Sequence, residues 1–144
     1  MKSTAILDVM VKDHNHLVKY LKDVENNLTS DFQILLNLFN RFKWNLEKHF
    51  FVEERAIFTS YNPNNIENGY HYFSELSKKH TIILEKVESL GKSIQMGESL
   101  DFSELKTLLL KHQKYEEEKV YPVLDLEIDE GEKHLMIERI NDVL

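Results

Sequence analysis

The chain has 144 residues, 42% of them hydrophobic, which is enough for one domain with a buried core, and we expect residues 1–144 to form it. A net charge of −7 disfavours a nucleic-acid partner, because phosphate contacts need clustered lysine and arginine. A sequence without cysteine excludes disulfides, thiolate metal sites and a cysteine nucleophile. The N-terminus lacks the apolar segment of a signal peptide, and no apolar run is long enough to span a membrane. We therefore expect a cytoplasmic protein without a membrane partner.

Apolar residues recur at spacings of three and four along almost the whole chain, which predicts amphipathic helices. The breaks between these stripes place helices at about 4–28, 31–60, 66–94, 102–124 and 132–143. Thr29-Ser30 is expected to cap the second helix, and Asp101 with Glu104 to form a capping box at the fourth. Because short connections favour antiparallel neighbours, we expect an all-α, up-down-up-down four-helix bundle with a short C-terminal fifth helix.

Each of the first four stripes carries a histidine where an apolar residue is expected. Counted from the helix ends that share one side of the bundle, these histidines lie about 10–14 residues deep, so they fall within roughly one helical turn of each other. Two of them are followed four residues later, on the same helix face, by a glutamate. Buried imidazoles and carboxylates need partners, and two cations would supply them. The expected metal ligands are His14, His49, Glu53, His80, His112 and Glu116.

The chain also repeats itself at an offset of 63 residues. The stretches 49–58 and 112–121 share the pattern His-x-x-x-Glu-Glu-x-x-Ile/Val-Phe/Tyr. Two related helical hairpins around a two-metal centre would account for this repeat. A ligand set of imidazole and carboxylate without sulfur favours iron or manganese, and zinc is the other alternative.

Several residues near these positions have other expected roles. Three histidines are expected at the surface: His16, His71 and His134. One alternative stays open, in which His16 and not His14 is the metal ligand. Three carboxylates are candidates to orient the ligand imidazoles through their second N–H: Asp13, Glu54 and Glu117. Four aromatic residues could form a dry wall around the site, with ordinary bundle packing as the alternative: Trp44, Phe50, Phe51 and Tyr115.

These residues together resemble the hemerythrin-like, or HHE cation-binding, domain family. The resemblance covers about residues 6–124 and rests on Asp13-His14, His49-x-x-x-Glu53, His80, His112-x-x-x-Glu116, Phe58 and Tyr121-Pro122. It implies a four-helix bundle around a non-haem di-iron centre. The four histidines would be terminal ligands and the two glutamates bridges, with an oxo or hydroxo group completing the bridge between two iron ions. Oxygen-carrying members have a fifth histidine where this chain has Leu84, so it is closer to the branch with four histidines and two glutamates.

The resemblance also implies a function. We expect a metal-binding protein that takes up a small diatomic ligand, O2 or NO, for sensing, storage or detoxification. A di-iron enzyme on the same site is the alternative, as a peroxidase, an NO reductase or an iron-centre repair protein. A metal-free helical interaction module is the third hypothesis. No residue is assigned a catalytic role.

Overall fold

The computed structural model describes the backbone of residues 2–58 and 66–144 and the side chains of residues 2–58 and 73–144. Every regular element in these ranges is helical, so the all-α prediction is confirmed. The helices are α1 (Ala5–Glu25), α2 (Phe32–Val52), α3 (Ile66–Gln95), α4 (Ser103–Tyr115), α5 (Tyr121–Glu127) and α6 (Glu130–Val143). Consecutive helices from α1 to α4 pack against each other, and α5 contacts α1, which closes the bundle. Among the described helices, none is both long and apolar enough to cross a bilayer.

Two π-helical turns interrupt the predicted helices at 31–60 and 102–124. Glu53–Phe58 follows α2, and Glu116–Val120 joins α4 to α5. In the second turn the backbone N–H of Tyr121 donates to the carbonyl of Glu116, five residues earlier. The predicted helices at 31–60 and 102–124 are therefore not α-helical throughout their described residues. Each π turn starts at the glutamate of a repeated motif, and such turns are frequent at functional sites.

The helix starts differ from the prediction because aspartates provide the caps. Asp31, and not Thr29 or Ser30, caps α2: its side chain accepts a hydrogen bond from the N–H of Gln33 at 2.9 Å. Asp129 caps α6 in the same way, so this helix begins two residues earlier than expected. A carboxylate at this place accepts a hydrogen bond from an otherwise unpaired N–H of the first turn. Its negative charge also interacts favourably with the positive end of the helix dipole.

The capping box expected at α4 is replaced by a local turn. Asp101 accepts hydrogen bonds from both the N–H and the hydroxyl of Ser103, at 2.9 and 2.7 Å. The cap residue is then Phe102, whose side chain offers no hydrogen bond and is buried in the core. Asp101 is thus satisfied two residues along the chain, as in an Asx turn, before the helix begins.

The core consists of two apolar clusters separated by a polar layer. One cluster includes Ile6, Met10, Val52, Leu76 and Val120. The other includes Leu17, Leu46, Ile83 and Leu109. On α1, for example, His14 lies between Met10 of one cluster and Leu17 of the other. On α2, α3 and α4 a histidine likewise lies between residues of one cluster and residues of the other. Each of these helices therefore contributes one histidine to the layer between the clusters.

A buried polar contact fixes the start of α1 against α5. The carboxylate of Asp125 accepts hydrogen bonds from the backbone N–H groups of Ile6 and Leu7, both at 3.0 Å. The buried ammonium of Lys133 on α6 donates to the carbonyls of Asp125 and Ser3, at 2.8 and 2.9 Å. Both helices contribute a side chain to the polar layer, His14 from α1 and Tyr121 from α5. The Asp125 contact therefore fixes the position of these two side chains relative to each other.

Candidate metal centre

The structure brings the six predicted ligand residues together in one layer, where each is 3% exposed or less. They form two groups that share Glu53 and Glu116. The group that adds His14 and His49 is called the first position here, and the group that adds His80 and His112 the second position. Within each group, one ligand atom per residue lies within 4.8 Å of all the others. Two groups that share both carboxylates are suited to two neighbouring cations.

The ligand atoms of the first position are spaced like neighbours around one metal ion. Nε2 of His14 lies 3.2 Å from Nε2 of His49 and 3.4 Å from Oε1 of Glu116. Nε2 of His49 lies 2.8 Å from Oε1 of Glu53. Ligands at right angles on metal bonds of about 2.1 Å are separated by about 3 Å. The observed distances therefore fit a shared ion.

The imidazoles of the first position are both held by a carboxylate on their outer side. Nδ1–H of His49 donates to Oδ2 of Asp13 at 2.6 Å, and Nδ1–H of His14 donates to Oε2 of Glu117 at 2.7 Å. A carboxylate only accepts, so in a neutral ring the lone pair is left on Nε2, which faces the layer. Two of the three predicted orienting carboxylates make this contact.

In the second position the ligand atoms are farther apart, and among the described residues the imidazoles lack hydrogen bonds to carboxylates on their outer side. Nε2 of His80 lies 3.7 Å from Oε1 of Glu53, and Nε2 of His112 lies 3.2 Å from Oε1 of Glu116. The third predicted carboxylate, Glu54, is 3.6 Å from Nδ1 of His80, beyond hydrogen-bond distance. Nδ1 of His112 has no hydrogen-bond partner within the described part of the chain.

Unpaired buried polar atoms show that this layer fits cations. Among the described residues, Oε1 of Glu53, both carboxylate oxygens of Glu116 and both ring nitrogens of His80 and of His112 lack a hydrogen-bond partner. Oε1 of Glu53 lies 2.8 Å from Nε2 of His49, a separation that also suits two ligand atoms of one cation. An unsatisfied buried polar group costs about 1–3 kcal/mol. Cations placed among these atoms would remove that cost, so the residues fit a metal pair.

Burial and neighbouring charges set the protonation of this layer in the metal-free chain. Burial lowers the pKa of His112 to about 4. Burial also disfavours the charged form of His49, but Glu53 and Asp13 outweigh it and raise the pKa of this histidine to about 9. Burial and the charge of Glu53 raise the pKa of Glu116 well above its usual range. Protons thus occupy part of the layer near neutral pH, and a cation must displace them.

Tyr121 is the site residue that the sequence reasoning missed, since it entered there only as a trailing residue of the motif. Its hydroxyl lies 3.2 Å from Nε2 of His14 and donates to Oε2 of Glu53 at 3.1 Å. A signal for it existed: in both repeats, apolar or aromatic residues stand four and five positions after the glutamate. The structure buries both Val120 and Tyr121, and the π turn before Tyr121 contributes to this by shifting the helix face by one residue.

The predicted aromatic wall is only partly present. Phe50 stacks on the ring of His80, with centroids 3.9 Å apart, and covers the second position. Trp44 and Phe51 are 62% and 54% exposed, so their assignment to the wall was wrong. Both lie on the face of α2 that points away from the bundle. Tyr115 is partly buried, and its ring lies 4.6 Å from the ammonium of Lys79.

Two of the three remaining histidines are at the surface, as predicted. The side chain of His16 is half exposed, so it does not exchange roles with His14. His134 is exposed as well, but it has a partner that the sequence reasoning did not assign, since its Nε2 lies 3.3 Å from Oε1 of Glu138. The side chain of His71 lies outside the described residues.

Fold and site together define a class of protein: an all-α bundle with a buried histidine and glutamate cluster that can hold metal cations. The family model of the hemerythrin HHE cation binding domain matches residues 5–124, and the chain belongs to this family. The match includes all six layer residues and Tyr121 and ends before α6. Comparisons with curated proteins and with solved structures find no significant match.

Proposed function

We propose that this protein binds two iron ions as a non-haem di-iron centre and uses them to bind a small ligand, O2 or NO, for sensing, storage or detoxification. The observation that supports this proposal is the pair of buried groups that share Glu53 and Glu116. Membership of a cation-binding family supports it independently. Manganese or zinc would use the same ligands, and the experiment below distinguishes the metals.

Each residue of the layer has a role in this proposal. His14 and His49 would hold the first ion, His80 and His112 the second, and the two glutamates would bridge them. The protein then gives each ion four ligand residues, which leaves room for a small external ligand. Bound iron would supply affinity for diatomic ligands and a change of oxidation state.

The surrounding residues keep the site dry and in place. The apolar clusters on both sides of the layer exclude water, and the ring of Phe50 covers His80. Asp13 and Glu117 hold the imidazoles of the first position in one orientation. Because each layer residue is 3% exposed or less, we expect the site to take a small ligand and to exclude a large substrate.

Metal analysis combined with spectroscopy tests the proposal. Anaerobically iron-loaded protein is expected to contain about two iron ions per chain and to change its visible absorption with O2, NO or azide, whereas His112→Ala loses part of the iron. Only trace iron in the loaded protein, or equal iron in this variant and the wild type, would contradict it. Sustained turnover of peroxide or NO would instead assign the site to an enzyme.

A further inference from the structure

Tyr121 places a phenol oxygen inside the first position. This side chain is fully buried, and its hydroxyl oxygen is 3.1 Å from Oε2 of Glu53 and 3.2 Å from Nε2 of His14. These distances fall in the range of 2.8 to 3.4 Å that separates the ligand atoms of this position from one another. The phenol oxygen therefore has the spacing of a further ligand atom.

The second position has no equivalent phenol among the described residues. In the sequence repeat the counterpart of Tyr121 is Phe58. Its ring stacks on Phe73, with centroids 4.5 Å apart, and lies 6.3 Å from the ring of His80. The repeat thus places a donor oxygen at one position and an apolar ring at the other.

The backbone around Tyr121 holds this side chain in place. The π turn before it brings the fifth residue after Glu116 to the face of the layer, through the hydrogen bond between the N–H of Tyr121 and the carbonyl of Glu116. One turn later, Asp125 ties α5 to the start of α1. The position of the phenol is therefore fixed by the π turn before Tyr121 and by the Asp125 contact after it.

We propose that the hydroxyl oxygen of Tyr121 is a ligand of the cation in the first position, so that the two cations are inequivalent. This inference rests on the proposed function. The phenol O–H bond breaks, the proton leaves to solvent, and the oxygen binds the cation. The small external ligand then binds in the second position, which has one protein ligand fewer.

In the metal-free chain the same phenol is a hydrogen-bond donor. Burial, together with the charges of Glu116 and Glu53, raises the pKa of Tyr121 well above its usual range. In this state the hydroxyl donates a hydrogen bond to Oε2 of Glu53 at 3.1 Å. Ligation and hydrogen bonding are two states of one side chain, and they have different spectra.

Spectroscopy of the wild type and Tyr121→Phe tests the inference. Ferric wild-type protein is expected to show a tyrosinate-to-iron charge-transfer band, with ring vibrations of tyrosinate in its resonance Raman spectrum. Tyr121→Phe loses both signals and still contains about two iron ions per chain, because all six layer residues remain. Tyr20→Phe is the matched control: it removes a phenol from α1 whose ring lies 4.5 Å from the guanidinium of Arg41, and it keeps both signals.

A redox-silent metal provides a second measurement on the wild-type protein alone. Loading with zinc is expected to produce the ultraviolet difference spectrum of about one tyrosinate per chain. Two bound metal ions without any tyrosinate signal would overturn the inference and leave Tyr121 as a hydrogen-bond donor to Glu53. Failure of the wild type to bind metal would refute the proposed function instead. The helix content and melting temperature of metal-free Tyr121→Phe control for folding.

Discussion

The two candidate metal positions have the same kinds of candidate ligand and different surroundings. In the first position, Asp13 and Glu117 hold both imidazoles at 2.6 and 2.7 Å, and Tyr121 adds an oxygen. In the second, Glu54 stays 3.6 Å from its imidazole and the outer nitrogen of His112 is unpaired within the described part of the chain. The comparison shows that a sequence repeat can duplicate ligands without duplicating the residues that support them.

This difference has consequences for metal binding. Carboxylates that orient an imidazole and raise its basicity typically strengthen metal affinity 10- to 100-fold. We therefore expect the first position to fill before the second. We expect the second position, covered by Phe50 and Phe58 on its apolar side, to exchange a bound metal more readily and to accept the external ligand.

The largest effect is expected from the two shared glutamates, because each belongs to both positions. Glu53→Gln and Glu116→Gln are each expected to reduce the bound iron from about two ions per chain to almost none. Elemental analysis after loading and desalting measures this loss. Glu118→Gln changes an exposed carboxylate of the same run and serves as the control, which should keep both ions. Two ions retained without Glu53 would show that the positions do not share it.

Single histidine substitutions separate the two positions. His49→Ala is expected to abolish the tighter of two binding events, and His112→Ala the weaker, so that each variant binds about one ion per chain. Calorimetric titration with a divalent metal resolves the events. His16→Ala, at the surface, should retain both. If loss of either ligand histidine removed the same event, the positions would be equivalent and the comparison above would be wrong.

The orienting carboxylates are expected to matter to different degrees. Asp13→Asn should weaken the first event about 10- to 100-fold, because the amide no longer stabilises the Nδ1–H of His49 as a carboxylate does. Glu54→Gln should weaken the second event less, since its oxygen is 3.6 Å from His80. Competition with a chelator of known affinity measures both. Equal losses would mean that Glu54 moves closer to its imidazole when metal binds.

The pH dependence should also separate the positions. The pKa of His49 is about 9 in the metal-free chain, so below that pH a proton must leave before metal binds at the first position. Apparent affinity there is expected to fall by at least about tenfold per pH unit as the pH decreases, because His49 releases one proton and a proton released by Tyr121 or Glu116 adds to it. His112, with a pKa of about 4, adds no such loss near neutral pH. Calorimetry in buffers of different ionisation enthalpy counts the released protons, and a count of zero would contradict this prediction.

Much of the fold and of the candidate site could be predicted because helical periodicity is a local property. The spacing of apolar residues placed a histidine on the inner face of each of four helices, and helix length placed them at one depth. The repeated motif marked Glu53 and Glu116 as inward-facing, and the structure buries both completely. The resemblance on which the sequence reasoning relied is confirmed by the family match over residues 5–124.

Other features depended on contacts between distant parts of the chain. Periodicity does not reveal a π turn, which shifts the helix face by one residue and brought Tyr121 into the layer. It gave Asp13, Glu54 and Glu117 the same candidate role, and only the packing of the helices decided which of them reach an imidazole. The sequence alone determined the candidate ligands and their depth. Only tertiary structure made the two positions unequal, because a small shift between neighbouring helices separates a hydrogen bond of 2.6 Å at His49 from a contact of 3.6 Å at His80 that is too long to be one.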